Sequence, residues 1–542
     1  MQEALAVFSR ISARRFARKT VGLLLGLVLL ACGGCHRTRV DAPSKAPPDG
    51  SVVVAPSDSG VPPKPSGQPA NTRPLPEGGT WYVSTIEGAR VGYERSATTE
   101  FTRDGQELVR VEWLSHMAIR RSGEHIEVDV QFTSIETLGG QLLEFEGSLS
   151  QGPTPMRIGG RVVGDELKIE TTTKGKRATA SIPWSAEYGG FRAVEESLSR
   201  KPMEPGEART IVALLPGFNV LGTTELVARQ FEPVKLPTGS HDLLRIDTTT
   251  TFPGGPPMEG STWTDRMGEV LKSRLEAMSI ELIRATRAEA LEETGPVEID
   301  LVRDVKVEVD RPLPLPHQTK RVRYRVTLDG GDPASVFVSG PSQEVKSIDP
   351  HTAEVTVFAI RPDSPAGNPE AVDDPPGADD LQPNNLIQSD YPAIVAKAKE
   401  AAGDEQDPWL AAAALERCAA GVITKSGYSQ AFATAAEVIE VAEGDCTEHA
   451  VLLAALCRAR KIPARVAIGL VYIDQAFYYH MWTEVHVRGR WIPLDATRAQ
   501  GGIGAAYLKM AHNNLQGGSA LASFLPVLEV IGRLKIEILE VE

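Results

Sequence analysis

The residues Gly444-Asp445-Cys446-Thr447-Glu448-His449-Ala450 run straight into an apolar stretch, Val451 to Cys457. The stretch reads as a buried helix. Asp445 is suited to open it, since its side chain can accept from orphan N–H groups of the first turn. Cys446 then sits in that turn, where the helix dipole favours negative charge and hence the reactive thiolate. Downstream lie Tyr479 to Val487, carrying His480, and Trp491 to Thr497, carrying Asp495. Both segments alternate as strands do, and Arg488-Gly489 between them suits a tight hairpin. That register sets Val487 against Arg490, Trp482 against Asp495 and His480 against Thr497. His480 and Asp495 then lie diagonally on one sheet face. A slip of one residue would carry Asp495 to the other face. Nucleophile, base and orienting carboxylate are the groups that thiol acyl transfer requires.

Four blocks in order now resemble a known family. They are Gly444 to Ala450, then Ile462-Pro463-Ala464-Arg465-Val466, then His480-Met481-Trp482-Thr483-Glu484-Val485, then Trp491 to Thr497. Together they resemble the bacterial transglutaminase-like superfamily, over roughly Pro392 to Thr497. The resemblance implies a papain-like core with a Cys446, His480, Asp495 triad. The family includes protein cross-linking enzymes, peptidases, amidases and inactive relatives, and all three triad positions are present here. It also uses, in some members, an aromatic donor upstream of the Cys, which makes Trp409 a candidate for the oxyanion hole beside the Cys446 N–H.

The rest of the chain supplies context. At 542 residues, two or three domains are expected. A formal net charge of −14 gives no general attraction for nucleic acid or anionic lipid. Residues 1–31 read as a signal peptide: Arg10, Arg14, Arg15, Arg18 and Lys19 precede an apolar run from Val21 to Leu30. Leu29-Leu30-Ala31-Cys32 resembles a bacterial lipoprotein processing site, with Cys32 as the lipidated residue and Cys35 as the alternative. Arg14-Arg15 fits twin-arginine export poorly. A membrane-anchored envelope lipoprotein is therefore expected. Residues 32–79, rich in Pro, Ser and Gly, read as a disordered tether.

The fold class expected is α+β: a mostly antiparallel β region, then a papain-like, transglutaminase-like α+β domain. Residues 80–295 read as the β domain, with Ile126, Val128, Val130 and Phe132 on one face and turns at Asp104-Gly105 and Ser122-Gly123. Helices are expected at Phe191 to Arg200 and Arg287 to Glu293. Residues 296–362 read as a second β region, separate or continuous with the first, with Val322, Tyr324, Val326 and Leu328 sharing a face. Residues 363–390 read as a solvated acidic linker whose Asp pairs lack calcium-loop spacing. Residues 391–542 form the catalytic domain, with helices at Tyr391 to Ala401 and Asp407 to Ala420 and a terminal strand from Leu534 to Leu539.

Of five cysteines, Cys32 and Cys35 belong to the export segment, in a spacing without the context of a redox motif. Cys418 and Cys457 read as core residues that a disulfide could join if geometry allowed. No zinc-ligand spacing appears and no cofactor is expected. His449 competes with His480 as base, but its place in the motif suits a supporting role; His486 reads as surface. Glu448 and Glu484 read as partners of arginines such as Arg465. Two functions follow. One is an exported enzyme attacking an amide carbonyl of a protein or peptide through a thioester. The other is a non-catalytic envelope binding or assembly protein using the papain-like domain as a scaffold.

Overall fold

The computed structural model describes residues 78–542 apart from 122–123, 151–154, 174, 216, 254–256, 277–278, 293–305, 362–366, 369–370, 372–373, 427–432, 517–526 and 528–529. The segments expected to be a signal peptide and a tether, with Cys32 and Cys35, and the expected Ser122-Gly123 turn lie outside the described residues. No helix among the described residues is long and apolar enough to cross a membrane.

Period-two alternation dominates from Thr80 onward. The strands β1 (Thr80–Ile86) to β8 (Lys176–Pro183) and β9 (Ala208–Leu215) to β14 (Ile280–Ala285) form one antiparallel sheet of fourteen strands among the described residues. The sheet runs β8 to β1, then crosses to β14 and back to β9. On β4 (Glu124–Thr137), Ile126, Val128, Val130 and Phe132 are all buried, as their alternation predicts. Gly147, opposite Phe132, has to be glycine: a Cβ there would lie 2.3 Å from the Phe132 ring. Helix α1 (Ala193–Arg200) buries Leu198 among the apolar residues Met203, Leu226, Leu244 and Ile246. The short α2 (Arg287–Ala290) opens with a capping box between Thr286 and Glu289.

The second β region is neither separate nor a continuation of the large sheet. The two-residue β15 (Val307–Glu308) pairs with a strand of the C-terminal sheet. Strands β16 (Arg321–Leu328), β17 (Gln343–Asp349) and β18 (Thr352–Phe358) form a sheet completed by the chain's last strand, Leu534–Val541, in the order β17-β18-β16-terminal strand. Val322, Tyr324, Val326 and Leu328 all bury, so the second region supplies one wall of the C-terminal core. Tyr324 donates its hydroxyl to Ala505 O at 2.9 Å. Gln343 bridges onward, donating to Lys509 O and accepting from Lys509 N.

The stretch 363–390 also departs from expectation. Its later part packs rather than floating as a solvated linker: Asn385, Leu386 and Ile387 are buried, and Asn384 Oδ1 accepts from the Leu386 and Ile387 N–H groups. Such an Asx turn lets a polar segment enter a core with its backbone satisfied.

In the transglutaminase-like domain, α3 (Pro392–Ala402) and α4 (Pro408–Val422) both begin with proline at the first turn, where its missing N–H costs nothing. After the paired β19 (Lys425–Ser426) and β20 (Glu443–Gly444), which bracket α5 (Ala435–Val441), comes α6 (Cys446–Ala459). Helix α6 is buried along nearly its whole length, which explains an apolar run with no polar face. Arg458 ends it by donating to Ala464 O, Gln382 O and Asn514 O. The strands β21 (Ala464–Ile473), β22 (Ala476–Val487), β23 (Arg490–Leu494) and β24 (Tyr507–Asn513) then form the sheet on which α6 packs. The chain closes with β25 (Leu534–Val541), the strand already met beside β16.

Candidate active site

Cys446 is the first residue of α6. Asp445 precedes it as N-cap and accepts from Thr447 N at 2.8 Å. Glu448 reaches back to the Asp445 N–H at 2.9 Å and also accepts from Ala433 N at 3.1 Å. Glu448 is therefore not an arginine partner. Its buried carboxylate ties the thiol-bearing turn to the segment that enters α5. Burial and the neighbouring Asp445 together raise its proton affinity well above that of an ordinary glutamate. Gly444 has to be glycine here, because a Cβ would lie 2.3 Å from Glu448 Cβ.

The hairpin register agrees with the sequence reading as far as the ladder runs. Val487 pairs with Arg490 and Thr483 with Leu494; the ladder stops there, just before Asp495, so the expected pairs Trp482–Asp495 and His480–Thr497 lie beyond it. The His480 and Asp495 side chains meet: Nε2 lies 2.9 Å from Oδ2. An ionised carboxylate only accepts, so Nε2 carries the proton. Asp495 Oδ2 also accepts from the Tyr507 hydroxyl at 2.7 Å. Its Oδ1 accepts from Thr497 N at 2.9 Å and Thr497 Oγ1 at 2.6 Å. Burial alone would raise this carboxyl's proton affinity. The charge and hydrogen bond of His480, with Thr497 and Tyr507, overcome it and hold Asp495 well below the usual carboxylate range.

Cys446, His480 and Asp495 are all almost fully buried, at 1%, 1% and 2% exposure. Trp482 stacks on His480 at 6.3 Å between ring centroids and meets Tyr507 edge-on at 5.5 Å, forming a wall. His449 donates Nδ1–H to Asp445 O at 2.6 Å, which tethers it within its own helix. His486 is half-buried against Trp491 rather than on the open surface. Trp409 lies at the start of α4, half-buried, with its backbone N–H on Asp407.

Glu484 does pair with Arg465, at 2.9 Å, and also takes Lys509 at 2.6 Å. Burial works against its charge. Lys509, then Arg465 and His512, prevail and set it at about 2. Arg465 continues to Asp374 at 2.5 Å and lies 3.9 Å over the Trp491 ring. Cys418 and Cys457 remain unbridged thiols; Cys457 is fully buried, Cys418 only half-buried. Burial raises the proton affinity of both.

Several groups around the candidate site escaped the sequence reading. Tyr507 and Glu416 are far from Asp495 in sequence and carried no signal. Glu416, fully buried in α4, accepts from Asp495 N at 3.1 Å and Gly501 N at 2.8 Å, and so positions the loop bearing Asp495. Burial pushes its carboxyl up to about 7. Thr497 was read only as the partner of His480 across the hairpin; the Asp-x-Thr spacing, which suits a side-chain turn, was the signal for its bonds to Asp495. The Trp482 indole N–H is buried with no acceptor.

Residues 395–496 match the transglutaminase-like superfamily. The transglutaminase-like match spans α3 to Ala496 and so includes all three candidate catalytic positions. Among curated proteins nothing matches the chain. A candidate cysteine protease from Cytophaga hutchinsonii is similar at 17% identity over 41% of this chain and 86% of its own, with a TM-score of 0.27. A beta-barrel-like protein of the DUF1849 domain of unknown function, from Brucella abortus, is similar at 10% identity over 38% and 94%, TM-score 0.28. The periplasmic domain of TgpA from Pseudomonas aeruginosa, bound to ethylmercury, is similar at 16% identity over 36% and 89%, TM-score 0.23. Scores this low carry no argument about activity.

Proposed function

We propose that this protein is an exported cysteine-dependent amide hydrolase or acyltransferase acting on a protein or peptide of the cell envelope. The observation that carries the reading is the buried His480–Asp495 pair in a domain whose Cys446 opens a helix. With Nε2–H held by Asp495, Nδ1 is the ring nitrogen that takes the thiol proton.

In this reading the Cys446 sulfur attacks the amide carbon and a C–S bond forms. The Cys446 N–H steadies the oxyanion, and the indoles of Trp482 and Trp409 are the side-chain donors to test. The C–N bond then breaks, and His480 returns its proton to the leaving amine. Water gives a proton to His480 and cleaves the thioester, releasing the acid and restoring the thiol. An amine in place of water completes transfer instead. Lipidated Cys32 would hold the enzyme at the membrane, which mass spectrometry of the native N-terminus tests: an unlipidated terminus refutes the anchor.

The decisive experiment is labelling with iodoacetamide at neutral pH. Cys446 is expected to react much faster than Cys418 or Cys457, and Cys446→Ala to abolish turnover in an intact fold. Equal, slow labelling of the three thiols supports the scaffold alternative.

A further inference from the structure

The large sheet encloses a second site, remote in sequence from the triad. A cavity of about 130 Å³ opens on its inner face, under the start of α1. Tyr82, Trp113, Phe191, Leu214, Val270 and Leu282 give it an apolar wall. Cavities of about this size accommodate a single benzene-sized ring.

Most polar groups of the wall already have partners. Tyr82 donates its hydroxyl to Val270 O at 3.0 Å, Thr224 pairs with Thr250 at 2.9 Å, and Thr262 with Ser273 at 3.3 Å. Arg95 is held by Gly78 O and Glu112. Glu94 differs. It is 5% exposed, and its Oε2 accepts from Trp113 Nε1 at 3.1 Å. Its Oε1 is buried and meets no donor at hydrogen-bonding geometry, the one such side-chain atom among the described lining residues; the Ser115 hydroxyl acts on the carboxyl as the weakest of its neighbours. A buried carboxyl oxygen without a donor is costly, and it marks where a ligand donor belongs.

The surrounding charge selects the donor. Glu195 of α1 lines the same cavity. Glu136, Glu195, Glu196 and Glu269 line an adjoining groove that shares Tyr82, Ser96, Arg192 and Val270 with it. Arg192 and Arg200 act on Glu136 and Glu196, and Arg284 acts on Tyr82, so these cations already face neighbouring groups. We infer that this cavity binds a small primary amine, its ammonium on Glu94 Oε1 and its apolar body against Trp113 and Phe191.

The groups facing Glu94 are Tyr82 from β1, Trp113 and Ser115 from β3 (Gln106–Arg121), and Glu195 from α1; Arg192, which precedes α1, and Arg95 line the same cavity. Burial pushes the Glu94 carboxyl up to about 7. An arriving ammonium therefore displaces a proton from a site that is mostly protonated at pH 6.

Phenethylamine is the probe, with phenylacetate and benzyl alcohol as controls, titrated calorimetrically into the full chain in buffers of differing ionisation enthalpy. The amine should bind, with release of close to one proton at pH 6 and little at pH 8. Affinity should rise about tenfold between those pH values, the sign expected when the bound state holds fewer protons. Trp113 fluorescence should report the same event, and Glu94→Gln should weaken the amine at least tenfold and abolish proton release. Proton release needs no variant, so a misfolded Glu94→Gln leaves the test intact. No amine binding, equal binding of amine and acid, tighter binding of the alcohol, or binding without proton release each overturns the inference.

Discussion

Asp495→Asn tests the proposed proton geometry through the four donors around that carboxylate. Oδ1 faces Thr497 N–H and Thr497 Oγ1, while Oδ2 faces His480 Nε2 and the Tyr507 hydroxyl. An asparagine offers one acceptor oxygen and one NH2. The Thr497 backbone N–H cannot invert, so the amide oxygen must stay on that side. The NH2 then points at His480 and Tyr507. A hydroxyl can rotate to accept, and neutral imidazole can move its proton from Nε2 to Nδ1. In the proposed site, Nδ1–H can no longer take the thiol proton, and an imidazolium would set two N–H groups against each other. The thiolate loses its partner. An unassisted thiol ionises near 8.5, so only about 1% is thiolate at pH 6.5. Alkylation of Cys446 at pH 6.5 should therefore fall about 100-fold, or about 2.7 kcal/mol. Turnover should fall further, by about three orders of magnitude or more, as when a triad carboxylate becomes an amide in serine enzymes. The assay is the iodoacetamide rate at Cys446 from pH 5 to 9, with denaturant unfolding alongside to show that the fold survives. Labelling of Asp495→Asn at the wild-type rate at pH 6.5 would refute the role of the His480–Asp495 pair.

Glu484→Ala should destabilise the domain by about 3–5 kcal/mol, since it leaves Lys509 and Arg465 buried without their carboxylate; urea unfolding measures it. Glu484 is held at about 2, below its unfolded value, so the stability it contributes is present above about pH 4.3 and is lost as pH falls towards 2. Glu136 shows the opposite sign: burial, then Glu196, pushes it up to about 7, so the native state keeps a proton that the unfolded chain releases above about pH 4.3. Glu136→Gln should gain stability on wild type, by up to about 3 kcal/mol, between pH 5 and 8, as denaturant unfolding at both pH values will show. Given a glutamine-containing peptide and a labelled primary amine, the protein should yield mainly the acid if the proposed activity holds, because transfer wins only where a site orients an amine or excludes water. Efficient amine incorporation into varied acceptors, read by mass spectrometry, contradicts that.

Local chemistry was legible wherever it depended on neighbours in the chain. Asp445 as N-cap, Cys446 in the first turn and the Arg488-Gly489 hairpin all rest on contacts a few residues apart. The alternation of Ile126 to Phe132 and of Val322 to Leu328 likewise identified buried faces before any partner was known. Tertiary structure decided whatever depended on long loops closing. It placed Tyr507 on Asp495 and Glu416 beneath it, paired the last strand with β16, drew the acidic stretch into the core at Asn384, and tied its exposed Asp374 to Arg465. It also left Glu94 Oε1 with no donor at hydrogen-bonding geometry. The physical reason is one of range. Caps, turns and pleats are set by the backbone within a few residues. A buried carboxylate's partners come from whichever segments the packed core brings together, and a polar residue's own sequence does not reveal whether its burial will be matched by a donor.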